Sequence, residues 1–235
     1  HLYGQASRMD AVMEIAKKYN LRVVEDCAQS HGACFNGKMT GTFGDIGCFS
    51  FYPSKNLSAF GDAGAIVTDD EELATKFRIF CNYGSEKRYH NIVVGTNSRL
   101  DELQAGLLRV RLSHLDELNS ERHELCRRYL SEIKNPIIEL PEVCENATTV
   151  WHQFVIRTPV RDRLIEYLNS CEIGTIIHYP IPPHLAKAYE YLGMKKGDLP
   201  ITERFADEVL SLPLYNGMTE DEQSYVIEKI NSFRC

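Results

Sequence analysis

Between residues 9 and 19 the apolar side chains Val12, Met13, Ile15 and Ala16 fall at the spacing that gathers them on one side of an α-helix. Lys17 and Lys18 lie near the end of that stretch and Asn20 is placed to stop it. The next run, 21–26, is rich in branched residues and ends in Glu25 and Asp26, which predicts a short strand. A helix followed at once by a strand is the rhythm of an α/β sheet whose strands end at a working edge. Two further apolar runs, 46–51 and 64–68, are bounded by Gly, Asp or Pro and read as buried strands. Between them lies a loop, 52–63, of glycine and small residues, and 70–81 reads as another helix.

From Ser98 the pattern changes. Leu100, Leu103, Leu107, Leu115, Leu118 and Leu125 recur at helical spacing as far as Tyr129. One straight helix of that length would reach about 45 Å, so the segment is expected to bend or to bridge two domains. The leucines do not keep a strict seven-residue repeat, so packing on the sheet is favoured over a coiled coil. Beyond a loop at 141–149 come strand-like 151–157, helical 161–169, strand-like 173–178 and helices near 202–210 and 219–232. The expected organisation is a larger α/β domain over 1–120 and a smaller α+β domain over 121–235. No internal repeat or low-complexity tract interrupts either.

Composition narrows the function classes. The 235 residues are 43% hydrophobic and 25% charged, ordinary values for a folded globular chain. The net charge is −7, without the basic patch that binding to nucleic acid by counterion release requires. No apolar run approaches the roughly 20 residues that span a bilayer, and no secretory pattern opens the chain. Among the eight cysteines the nearest pair, Cys27 and Cys34, is seven apart (34 − 27), so no C-x-x-C occurs. These cysteines read as reduced thiols of a cytoplasmic protein. The chain opens on His1-Leu2-Tyr3-Gly4 without a starting methionine, and the expectation is the back part of a longer protein.

The candidate chemistry begins with Asp26. A carboxylate at a strand end commonly caps the following turn, and a lone lysine is commonly a solvated charge. Lys55, however, follows Asp26 by 29 residues (55 − 26), after a strand and beside the small-residue loop, so that both belong to one sheet edge. An acid and a lysine so placed suit pyridoxal phosphate. The lysine holds the aldehyde as a Schiff base, and the acid keeps the pyridine nitrogen protonated so that the ring accepts electrons. A hydroxyl such as Ser50 suits the phosphate.

Several segments in order strengthen this reading. They are His1-Leu2-Tyr3-Gly4, 25–33 (EDCAQSHGA), Gly44-Asp45, 49–57 (FSFYPSKNL), 61–65 (GDAGA), 97–105 (NSRLDELQA), His178-Tyr179-Pro180 and 210–213 (LSLP). Together, across nearly the whole chain, they resemble the DegT/StrS family of pyridoxal-phosphate-dependent nucleotide-sugar aminotransferases. The resemblance implies a fold-type-I, aspartate-aminotransferase-like α/β transferase. Here it would have an incomplete large domain with a mixed sheet and a small C-terminal α+β domain. Members carry a preceding stretch with a phosphate loop and a ring that stacks on the cofactor, and this chain has neither in that place.

By the same resemblance Lys55 is the Schiff-base lysine and Asp26 the partner of the pyridine nitrogen. Gln29 lies near the phenolic oxygen and Ser50 binds the phosphate. Asn97 is lent to the phosphate of the neighbouring subunit, which implies a homodimer with shared active sites. A branch of the family that dehydrates its sugar has histidine at the lysine position, so Lys55 points to transamination. The run 178–184 (HYPIPPH), with Tyr189 and 212–218, looks most like members acting on dTDP-3-keto-6-deoxyhexoses. Tyr52, His178 and Tyr179 would then face the hexose and Arg88 the pyrophosphate, with glutamate as amino donor. No metal site is expected: Pro180, Pro182 and Pro183 exclude the helix that would align His178, His184 and Glu190. Two alternatives stand beside this reading, a non-catalytic relative that binds the cofactor and regulates, and an inactive fragment.

Overall fold

The computed structural model describes residues 1–234 and divides them into two compact units. The first comprises His1–Ser120 and Val143–His152, the second Glu121–Glu142 and Gln153 onward. Segment 143–152 therefore belongs with the first unit, outside the 1–120 division read from the sequence. Bridges from Gln5 to Thr149 and from Phe35 to Ala147 hold it there.

In the first unit α1 (Met9–Tyr19) ends where Asn20 adopts a left-handed conformation, with φ 52° and ψ 49°. Asparagine tolerates that conformation and lets the chain turn straight into β1 (Val24–Asp26). A small hairpin, β2 (Cys34–Phe35) and β3 (Lys38–Met39), precedes β4 (Ile46–Ser50) and β5 (Gly64–Val67). β4 is central in a mixed three-stranded sheet, parallel to β1 and antiparallel to β5. The register sets Asp26 opposite Cys48 and Ser50 opposite Gly64, so Asp26 and Ser50 both lie at the end of the sheet where β1 and β4 finish. α2 (Glu71–Cys81) starts at Asp70, whose carboxylate accepts from the N–H groups of Glu72 and Leu73. A second hairpin, β6 (Ser85–Lys87) and β7 (His90–Asn91), follows.

The leucine-rich segment is not one helix. It forms α3 (Glu102–Leu112) and α4 (Leu115–Glu132), broken at Ser113 and His114. Ser113 turns its hydroxyl onto the carbonyl of Val110, a local bond that competes with the helical ladder. Leu108 and Leu115, one on each side of the break, meet Leu57 and Ala59 of the loop after β4 in a single buried cluster. A second cluster joins Ala6, Met9, Ala33, Phe35 and Val150.

The second unit is built on the antiparallel pair β8 (Phe154–Arg157) and β9 (Val209–Leu212), with α5 (Arg161–Ser170), α6 (Pro200–Glu208) and α7 (Glu220–Ser232). Its fully buried side chains include Tyr129, Phe154, Ile156, Leu164, Leu168, Leu210 and Ile230. The helix expected to run to 210 ends at Glu208, and the strand expected over 173–178 contributes one bridge, Ile176 to Ser211. No described helix is long and apolar enough to cross a membrane.

Candidate active site

β1 ends in two acids that point opposite ways, as alternation along a strand requires. Glu25 is buried and Asp26 exposed. The Glu25 carboxylate accepts the N–H groups of Gly41, Phe43 and Gly44, and lies 3.1 Å from His1 Nε2. This fastens the end of β1 to the loop that leads into β4. Asp26 accepts from the Ala28 N–H at 3.0 Å, which orients its carboxylate at the sheet edge. Three residues further on, Gln29 is buried and its Oε1 accepts the Tyr3 N–H at 2.6 Å.

β4 then delivers Ser50 and the lysine loop. The turn is closed by Lys55 N–H donating to the Tyr52 carbonyl at 2.8 Å, and the loop returns with Ala59 N–H donating to the Phe51 carbonyl at 2.7 Å. Ser50 Oγ accepts from the Tyr52 N–H at 3.4 Å. Gly64 lies opposite Ser50, where any Cβ would stand 2.7 Å from the Phe49 carbonyl oxygen, so the close strand pairing there requires glycine.

Lys55, Ser50 and Tyr52 line a cavity of about 1020 Å³ in the first unit. Asp62, Gly64, Asn97 and Arg99 line it too. Partial burial holds the Lys55 amine below the ordinary lysine range, and the negative charge of Asp26 opposes that shift. The lysine and the acid read from the sequence are therefore near enough to feel each other's charge. His31 lies on the buried side of β4, its ring centroid 5.8 Å from those of both Phe49 and Phe51. Burial pushes its imidazole down to about 4, and the positive charge of Lys55 adds to the effect.

The other residues read from the sequence are more dispersed. Asn97 lines the same cavity as Lys55, and its Oδ1 accepts from Arg99 Nε at 3.0 Å. Arg88 sits at the exposed tip of the β6–β7 hairpin with its guanidinium over the Tyr89 ring, 5.0 Å from its centroid. His178 and Tyr179 belong to the second unit, where His178 Nδ1 is 2.7 Å from Ser211 Oγ and Tyr179 is half exposed. His184 pairs instead with Glu203 at 3.0 Å, so the two histidines of the 178–184 run take different partners. Sequence reasoning missed Asn56, a buried polar residue directly after the lysine. It lies within the 49–57 segment, but its partners are 63 and 94 residues away, so nothing local gives it a task.

The donor set fits pyridoxal phosphate. An amine held below its usual range, a carboxylate within electrostatic reach and a hydroxyl at the adjoining strand end match the aldehyde, the pyridine nitrogen and the phosphate respectively.

Comparison with known proteins agrees with this chemistry. Residues 1–231 match the model of the DegT/DnrJ/EryC1/StrS aminotransferase family. The chain is 50% identical over 233 residues to the dTDP-3-amino-3,6-dideoxy-alpha-D-galactopyranose transaminase of Aneurinibacillus thermoaerophilus, covering 99% of this chain and 64% of that one. It is 43% identical to a pleiotropic regulatory protein of Geobacillus stearothermophilus, covering 99% of this chain and 63% of that one. Among solved structures, that of Streptomyces venezuelae DesV in complex with a ketimine intermediate superposes with a TM-score of 0.95 at 45% identity, over 99% of this chain and 63% of that one. The chain thus spans less than two thirds of the length of these relatives.

Proposed function

From a chain that belongs to the DegT/DnrJ/EryC1/StrS aminotransferase family, we propose the lysine-bearing part of an enzyme that transfers an amino group from glutamate to the keto carbon of a nucleotide-linked sugar. The sugar is a dTDP-3-keto-6-deoxyhexose. The observation that carries this reading is Lys55 in one cavity with Ser50, its amine within electrostatic reach of Asp26. The cofactor is pyridoxal phosphate, which when bound supplies an aldehyde to carry the amino group and a ring to take up electrons from the substrate carbon.

Each residue has a task that follows from its surroundings. A lysine held below its ordinary range keeps a larger neutral fraction near pH 7, and only the neutral amine can attack a carbonyl or accept a proton. Lys55 Nζ would therefore hold the cofactor by its aldehyde and, when free, would serve as the base that takes up and returns the proton at the substrate carbon. Asp26, steadied by the Ala28 N–H, would face the ring nitrogen and hold a proton on it. Ser50 donates its hydroxyl to the phosphate. Gln29, fixed by Tyr3, faces the phenolic oxygen. Tyr52, His178 and Tyr179 contact the hexose and Arg88 the pyrophosphate. The working form is a cytoplasmic homodimer in which Asn97 serves the partner's phosphate. Its exposed position at the cavity rim supports that role.

The test is turnover by the intact protein with [15N]glutamate and the keto-sugar nucleotide. Label in the aminated sugar supports the reading. Likeness to a protein named for regulation favours a second reading, a cofactor-binding regulator. That reading predicts bound cofactor and no labelled sugar.

A further inference from the structure

Asn56 follows the candidate catalytic lysine directly and is only 2% exposed. A buried primary amide must place two N–H donors and a carbonyl acceptor, and each one left unmet destabilises the fold. Asn56 meets both kinds. Its Nδ2 donates to Asn119 Oδ1 at 2.9 Å and to the Val150 carbonyl at 2.8 Å. Its Oδ1 lies 3.2 Å from His152 Nδ1, the donor in this pair. Asn119, on α4, in turn donates its Nδ2 to the carbonyl of His31 at 2.9 Å. Asn119, His152 and Val150 are all buried.

The consequence is geometric. His31 directly follows the turn that holds Gln29, closed by Ser30 N–H donating to the Cys27 carbonyl, and Lys55 closes the turn that follows Ser50. These two stretches carry the residues assigned to the cofactor, and the chain from Asn56 through Asn119 to the His31 carbonyl spans from one to the other. A lysine side chain has four rotatable bonds, so where its amine can reach is set by where its backbone is held. Within the loop the backbone of 52–57 has one turn bond, from Lys55 N–H to the Tyr52 carbonyl, and Asn56 is the polar anchor beneath it.

We propose that Asn56 is a positioning residue for Lys55. Its bonds to Asn119, Val150 and His152 hold the lysine loop at a fixed distance from the Asp26–His31 turn, so that the amine meets the cofactor aldehyde while the acid meets the ring nitrogen. The proposal rests on the assignment of Lys55 as the cofactor lysine. Asparagine is specific here. Aspartate would turn acceptors onto Asn119 Oδ1 and the Val150 carbonyl, and serine would satisfy one partner of three.

The experiment compares wild type, Asn56→Ala and the milder Asn119→Ser in the intact protein with pyridoxal phosphate. The readouts are the rate at which borohydride-stable label accumulates on the Lys55 peptide and the pH titration of the bound cofactor's absorbance. Leu164→Ala, fully buried in the second unit, controls for a general loss of stability. The expected result is labelling slowed about tenfold or more in Asn56→Ala, with a displaced absorbance titration. Asn119→Ser should show the same change in smaller degree and Leu164→Ala neither, at a matched fall in melting temperature. Should Asn56→Ala not fold, Asn119→Ser decides by the same two readouts. Wild-type rate and titration in the asparagine variants overturn the positioning role and leave Lys55 intact. A wild type that takes no label on Lys55 overturns the assignment of the lysine, and the positioning role with it.

Discussion

Glu25 and His1 face each other across 3.1 Å with both side chains almost fully buried, and the same carboxylate gathers three backbone N–H groups from the loop 41–44. The pair and its donors lock the last residues of β1 to the approach of β4. Removing the carboxylate leaves several buried donors without an acceptor. Glu25→Ala is therefore expected to lower unfolding stability by about 3 kcal/mol or more, measured by urea denaturation of the intact protein. A loss under about 1 kcal/mol would contradict this account of the strand end.

His31, packed against Phe49 and Phe51 and within reach of the Lys55 charge, is held neutral. Burial holds its folded-state value near 4, against about 6.5 in the unfolded chain. In that window the unfolded chain takes up a proton that the folded one refuses. The contribution is thus fully present above about pH 6.5 and is lost as pH falls toward 4, by up to roughly 3 kcal/mol. Stability measured from pH 7.5 to 4 should show this decline, and His31→Leu should flatten that part of it. An unchanged slope in the variant would contradict the burial account.

Asp26→Asn keeps the shape of the side chain and removes the charge. Two consequences are expected in the intact protein. Amino transfer should fall by at least about a hundredfold, because the ring nitrogen loses its proton partner. The Lys55 amine should also titrate lower still, because Asp26 is the charge that raises it against burial. The pH dependence of Lys55 modification by an amine-selective reagent in the cofactor-free protein reads the second effect without turnover.

His178→Ala and Tyr179→Phe test the hexose contacts. Loss of one polar contact of ordinary strength weakens binding about tenfold. The expected outcome is a KM for the nucleotide sugar raised to that degree, with the KM for glutamate unchanged. Equal effects on both substrates would remove these residues from the sugar site.

Much of this fold is written in local pattern. α1 is legible because four apolar positions share one side and Asn20 can turn left-handed, and α2 because Asp70 caps it. Other parts depend on contacts that no local window contains. The length of the leucine stripe says that it must bend or bridge, but the stripe runs through Ser113 and His114 without a lapse, so the place of the break between α3 and α4 is not legible until Leu108 and Leu115 meet the loop after β4. β9 has the sequence VLSL, buried at all four positions, and a short apolar run does not distinguish a strand from the end of the helix before it. The site divides likewise. Asp26, Ser50 and Lys55 could be placed on one edge because strands deliver them there. Asn56 could not, since its partners lie 63 and 94 residues away.

The central claim is that Lys55 is the point of attachment for pyridoxal phosphate. Its most direct test is borohydride reduction of the intact protein after incubation with the cofactor, followed by peptide mass mapping. A pyridoxyl mass on the Lys55 peptide, absent in Lys55→Ala, is the predicted result. A reduced protein with no such mass at Lys55, or with the mass on another lysine, would contradict the account.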